Sequence, residues 1–224
     1  MSVEVAAARY ASLRHNGYLE LPVGAVKESV LSLLPVGYSF LPYSFTMNGV
    51  TLSTFHRDVT SARSIHGTKH PVYTVICYEK AEQTISVCRG SHNTTPFLMS
   101  LPRTLTAHLA WDGKPLETIY IFDCDLVHAG ALGSPDRVVR QYKVAHCEDW
   151  SKLSHLLHIH TVRVAERDEK RSHSDLDKRF ARMMSWLFSF PINHLWTAEL
   201  QNDSGSWGAK ALRRILGANF YNAD

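Results

Sequence analysis

The sequence predicts a mainly β protein, a double-sheet jelly roll with helices before it and after it. Three observations predict this. Between Gly37 and about Val164 the chain breaks into short runs of β-branched and aromatic residues separated by turn residues; there are eight such runs, enough for two packed sheets; and patterns with helical spacing are confined to the two ends. With 224 residues, 45% of them hydrophobic, the chain suits one domain with a sizeable core. Residues 1–165 are expected to form the β domain with its N-terminal helices, and 166–224 a C-terminal helical extension packed on it.

The elements follow in order. Val3 to His15 carries alanines, leucine and arginines at helical spacing, and Asn16-Gly17 stops it as a C-cap does. Tyr18 to Pro22 reads as a short strand, and Ala25 to Leu34 as an amphipathic helix ended by Pro35. The β runs are Tyr38 to Phe45, Val50 to Phe55, Val72 to Tyr78, Thr84 to Cys88, Thr104 to Ala110, Thr118 to Phe122, Val138 to Cys147 and Leu156 to Val164. Val59 to His70 is a polar loop at the mouth of this scaffold, where substrate contacts commonly sit. Beyond Ala165, Glu166 to Arg171 is a mixed-charge run, Leu176 to Phe190 an amphipathic helix ended by Pro191, and Ala209 to Leu216 a last short helix.

Composition excludes several classes. Net charge is only +3, with both signs spread along the chain, so a pI near 8.7 does not by itself indicate nucleic acid. Cys77, Cys88, Cys124 and Cys147 show no CxxC spacing and lie in or beside apolar runs, which indicates buried thiols in a reducing, cytoplasmic setting. No apolar run approaches a membrane span, and the N-terminus lacks a signal-peptide layout.

The chemistry centres on Thr54-Phe55-His56-Arg57-Asp58. Side chains of a strand alternate faces, so His56 and Asp58 point together while Arg57 points away. His128 follows Asp58 by 70 residues (128 − 58), room for several strands to return the chain. Two histidines and a carboxylate on one side of a metal, with the other side open, is the arrangement of non-haem Fe(II) oxygenases. Arg137 lies 9 residues past His128 (137 − 128) and could grip an anion held at the metal through two parallel hydrogen bonds.

Arg14-His15-Asn16-Gly17-Tyr18-Leu19, His56-Arg57-Asp58, Ile85 to His92, and His128 followed by an arginine occur in an order that resembles phytanoyl-CoA dioxygenase-like Fe(II)/2-oxoglutarate oxygenases. The resemblance spans roughly Ala8 to Ala145 and implies a double-stranded β-helix of the cupin-like jelly-roll type. It implies iron on His56, Asp58 and His128, with O2 and 2-oxoglutarate as co-substrates. An arginine would bind the distal carboxylate, with Arg137 the first choice and Arg140 the second. The expected reaction couples decarboxylation of 2-oxoglutarate to succinate with hydroxylation of a substrate C–H. Departures from the family are Arg89 where proline is usual before Gly90-Ser91-His92, and a reduced glycine- and serine-rich stretch in Ala129 to Ser134.

Other residues are weighed against simpler roles. His92, in a Gly-Ser turn, reads as structural. Asp123 and Asp125 read as solvated strand-end carboxylates, with a hydrogen bond to His128 as the alternative. Tyr73, Thr74 and Tyr78 could offer a hydroxyl to the co-substrate. His158-Ile159-His160, despite its spacing, reads as an ordinary strand. Two rival functions remain open: a non-catalytic jelly-roll module binding a partner through a basic C-terminal flank (Lys170, Arg171, Lys178, Arg179, Arg182, Lys210, Arg213, Arg214), and a cupin-like metal dioxygenase that does not use 2-oxoglutarate. A small-molecule substrate is expected, with nucleic acid or protein as the alternatives.

Overall fold

A computed structural model describes residues 3–48, 55–58, 60–81, 85–93, 108–110, 115–130 and 137–164, together with 176 and 183. The expected run Val50 to Phe55 lies outside these residues but for its last member, and the C-terminal helices, the basic flank and the domain division at 165 lie outside them as well. The chain begins with α1 (Val3–Asn16), β1 (Tyr18–Pro22) and α2 (Val26–Leu31). Gly17 ends α1 at φ +84°, its N–H donating to Leu13 O at 2.8 Å, which is the left-handed cap that glycine adopts without steric cost.

Ten strands are described. They continue with β2 (Tyr38–Phe40), β3 (Ser44–Asn48), β4 (Tyr73–Lys80), β5 (Ser86–Cys88), β6 (His108–Ala110), β7 (Thr118–Asp123), β8 (His128–Ala129), β9 (Val138–His146) and β10 (His160–Val164). The expected run Tyr38 to Phe45 is divided between β2 and β3, because Pro42, which has no N–H, lies between them and the chain turns there. α2 is shorter than Ala25 to Leu34, and a short helix α3 (Arg63–His66) stands inside the polar loop. Cys147–Leu156, whose two end residues were expected in strands and whose interior was given no element, forms a 3₁₀ run that buries Leu153 and Leu156.

The strands form two sheets. The large one runs β1-β7-β4-β9-β3-β10 with β2 also on β9, antiparallel throughout except for β10 on β3. The small one runs β6-β5-β8, and an isolated bridge adds His56 to the free side of β8. This is the jelly-roll architecture, a double-stranded β-helix with helices on its outer face.

Alternation along the central strands sorts side chains into two cores. Tyr73, Val75, Ile119, Ile121 and Val144 face α1 and α2 and pack with Leu13, Leu21 and Val30. Ile76, Tyr78, Tyr120, Phe122 and Val139 face the small sheet and pack with Ile85, Val87 and Leu126. Each fully buried aliphatic or aromatic side chain contributes about 1.5–3 kcal/mol, and this double burial makes β4, β7 and β9 the rigid frame of the molecule. All four cysteines are free; Cys88 and Cys124 are buried and Cys77 half-buried, but Cys147 is exposed, contrary to expectation, because it opens the 3₁₀ run at the end of β9.

Candidate metal centre

His56, Asp58 and His128 come together. Their ligand atoms all lie within 4.8 Å of one another. Asp58 Oδ1 is 3.9 Å from His56 Nε2 and 3.6 Å from His128 Nε2, each short of twice the ~2.0–2.2 Å length of a metal bond to such donors. One divalent ion therefore fits between them.

Backbone pairing creates this convergence. The His56 and His128 N–H groups each donate to the other residue's carbonyl at 2.9 Å, which fixes the two rings on one side of the bridge with centroids 4.5 Å apart. Asp58 N–H donates to Cys124 O at 2.9 Å, and the N–H groups of Ser61 and Ala62 close a turn on Asp58 O. Arg57, pointing the other way, is buried rather than solvated: it donates to Ser91 O at 3.0 Å and pairs with Asp125 at 3.5 Å. It locks the metal segment against the turn that follows β5.

His128 is held as a ligand must be. Its Nδ1–H donates to Leu126 O at 2.9 Å, so Nε2 carries the lone pair toward Asp58. Burial, helped by His56 and opposed by Asp58, pushes its pKa down to about 4, and the ring is neutral at ordinary pH. The ring also leans on Phe122 at a centroid distance of 4.4 Å. His56 is the more open member at 20% exposure, against 5% for His128 and 7% for Asp58.

A cation absent from the sequence reading completes the centre. Lys143, fully buried, donates to Asp58 Oδ2 at 2.6 Å and to Thr74 Oγ1 at 2.8 Å, and Thr74 in turn donates to Asp58 Oδ2. The register explains the triangle: Thr74 stands opposite Phe122 on β7 and opposite Lys143 on β9, so the three form one inward row beneath Asp58. Burial alone raises the Asp58 carboxyl; Lys143, His128 and His56 more than reverse this and hold it well below the usual carboxylate range. The two carboxylate oxygens are thereby divided, Oδ2 to Lys143 and Thr74, and Oδ1 to the histidines. A signal for Lys143 was present in its position, an even six residues from Arg137 (143 − 137) and so on the same strand face.

The two arginines are separated by the same parity. Arg137 is buried beside Tyr78, whose ring belongs to the core between the sheets. Arg140, half-exposed, turns outward to an ion pair with Glu79 at 2.5 Å. Arg137 is thus enclosed with the core between the sheets, whereas Arg140 is turned outward.

The remaining candidates fall as follows. Of the three hydroxyl residues on β4, Thr74 and Tyr78 face inward, whereas Tyr73 packs under the helices and is turned away from the centre. Asp123 and Asp125 are buried, not solvated. Asp125 accepts from Ser64 N at 3.1 Å, and Asp123 accepts from Asp125 N at 2.9 Å; neither serves His128, which uses a backbone carbonyl. His92 Nε2 lies 2.9 Å from Arg14 O and ties its turn to the end of α1. His158 and His160 are exposed and belong to no three-ligand group among the described residues.

No protein-family model matches the chain, and no curated protein matches it. Similar solved structures include EvdMO1, at TM-score 0.45 and 13% identity over 63% of this chain and 50% of that one, so the chain spans half the length of EvdMO1. Also similar are the non-heme α-ketoglutarate-dependent epimerase SnoN (0.44, 11%, 65% and 84%) and EctD from S. alaskensis with 2-oxoglutarate and 5-hydroxyectoine (0.41, 15%, 64% and 75%). A likeness this shallow carries no chemistry across, and the centre stands on its own geometry.

Proposed function

We propose that the protein is an Fe(II)/2-oxoglutarate-dependent oxygenase that hydroxylates a small molecule, of the phytanoyl-CoA dioxygenase-like branch by the order of its landmarks. The observation that carries this reading is the meeting of His56 Nε2, Asp58 Oδ1 and His128 Nε2 at one point of a jelly roll, with both histidines and the carboxylate on one side. Two imidazoles and one carboxylate suit iron(II) and leave positions for exogenous ligands.

Iron bound there would supply the activation of O2 and the redox chemistry. The chain's residues do the rest. Lys143 and Thr74 occupy Oδ2 of Asp58, so the carboxylate offers a single oxygen in a fixed orientation. Leu126 O fixes the tautomer of His128, and Phe122 excludes water from one side of its ring. Arg137 is assigned to the distal carboxylate of 2-oxoglutarate, with Tyr78 beside it. A divalent metal, the Asp58 anion and the Lys143 cation sum to +2, one more than the ligand triad alone gives, which matches a dianionic co-substrate. His56 is the one triad member with substantial exposure, 20% against 5% for His128 and 7% for Asp58.

Anaerobic addition of 2-oxoglutarate to iron-loaded protein should produce the weak visible charge-transfer band of the chelate, and aerobic incubation should produce succinate. His128→Ala should abolish both. A wild-type protein that binds iron without giving either signal would overturn the assignment.

A further inference from the structure

A second group of ligand-type side chains meets at the surface, away from the centre just described. The donor atoms of His70, His146 and Glu148 all lie within 4.8 Å of one another. His70 stands near the end of the segment that runs from Asp58 to β4, while His146 and Glu148 flank the junction of β9 and the 3₁₀ run. The imidazoles pack with centroids 3.9 Å apart, and His70 Nε2 lies 3.2 Å from Glu148 Oε2.

Neighbouring groups set these positions. Buried Asp149 accepts from the backbone N–H of Lys69 at 2.7 Å and of His70 at 2.8 Å, fastening one segment to the other. The His146 ring stands edge-on to Tyr38 at 5.4 Å and rests against Gly37, where a Cβ would come within 2.1 Å of Nε2. That side of the ring is closed; Nδ1 accepts a long hydrogen bond from Glu148 N–H at 3.4 Å, which a cation on Nδ1 would replace. Hydrogen bonds from Lys69 and His70 hold the Glu148 carboxyl down at about 2, so it is anionic throughout the ordinary pH range. Lys69 Nζ contacts Glu148 Oε2 at 2.7 Å, the same oxygen that lies 3.2 Å from His70 Nε2. Donors set in advance lose little freedom when they bind.

We propose that His70, His146 and Glu148 form a second divalent-cation site, of the zinc type, that clamps the segment between Asp58 and Thr74 to the end of β9. Two imidazole nitrogens and a carboxylate oxygen, with a position left for water, are a donor set suited to zinc. The clamped segment starts at one residue of the first centre and ends beside another, so occupancy stiffens the support of that centre. The proposal stands whether or not His56, Asp58 and His128 hold iron.

The test uses the full chain without a histidine tag, stripped with chelator and titrated with Zn2+ by calorimetry. His56→Ala disables the first centre, and this variant should bind one Zn2+ and melt at a higher temperature when it does. Adding Glu148→Gln, at an exposed position, or His70→Asn, at a partly buried one, should weaken that binding by about tenfold or more and remove the thermal shift. A His56→Ala protein that binds no Zn2+ would overturn the proposal. Binding that survives both added substitutions unchanged would overturn it equally.

Discussion

The two faces of the large sheet are made by the same strands and do opposite work. Outward, β4, β7 and β9 present Tyr73, Val75, Ile119, Ile121 and Val144 to the helices, and the half-exposed charges of that face, Glu79 and Arg140, pair with each other. Inward, the same strands present Phe122, Thr74 and Lys143 in one row, and Lys143 is as deeply buried as any leucine of the opposite core. An ammonium group is taken out of water at considerable cost unless it is paired and hydrogen-bonded, and Asp58 and Thr74 satisfy both conditions. The outer face thus stabilises the fold, whereas the inner face holds a buried, ionised carboxylate beside two histidines.

The contrast is broken most sharply at Lys143. Lys143→Met keeps the length of the stem and leaves Asp58 as a buried anion without its counter-charge, which should lower stability by about 3–5 kcal/mol in urea denaturation. Because a metal then becomes the remaining way to neutralise Asp58, added Fe(II) should raise the variant's melting temperature more than the wild type's. An equal shift in both proteins would mean that Lys143 and the metal do not share Asp58.

On the outer face, Ile121→Ala should cost a comparable ~2–5 kcal/mol through the cavity it leaves. Iron stoichiometry and the rate per folded molecule should stay unchanged, as measured on protein kept well below its new melting point. The difference between these two variants, similar in stability cost but with the metal response enlarged in one and unchanged in the other, is what separates the faces.

Arg137→Ala probes the inner face farther along β9. Loss of charge-assisted hydrogen bonds worth ~1.5–3 kcal/mol should raise the 2-oxoglutarate concentration for half-maximal rate about 10- to 100-fold. Arg140→Ala, at the outward position paired with Glu79, should leave it unchanged.

The smallest effect concerns two buried carboxylates of opposite sign. Asp58, with its pKa held down, stabilises the fold above its ordinary value of 3.8, and that contribution is lost as pH falls. Asp123 is pushed up to about 7 by burial and by the neighbouring Asp125. Its contribution is present below 3.8 and is lost as pH rises through about 7. Asp123→Asn retains an oxygen to accept from Asp125 N–H and should gain on the wild type in melting temperature between pH 5 and pH 8. A gap that stays constant over this range would show that Asp123 does not titrate there.

Much of the frame could be read from residues alone. Asn16-Gly17 marked the end of α1, and the apolar runs marked β4, β7 and β9, because caps and strand composition are local properties. The shared face of His56 and Asp58 followed from the two-residue period of an extended chain. The burial of Arg57 and Asp125 could not be read, since their partners are brought from distant parts of the chain, whereas Asp123 is held in a local turn by Asp125 N–H.

β9 gives the clearest division between the two. Its sequence determines that residues 137, 139, 141 and 143 share one face and 138, 140, 142 and 144 the other, because parity is a property of any strand. Which set turns toward Asp58 was decided by tertiary structure alone. A central strand buried on both sides carries apolar residues on both, Val139 on one face and Val144 on the other, so no alternation of polarity tells inside from outside. Only pairing with β4, which sets Lys143 opposite Thr74 and both beneath Asp58, makes that choice.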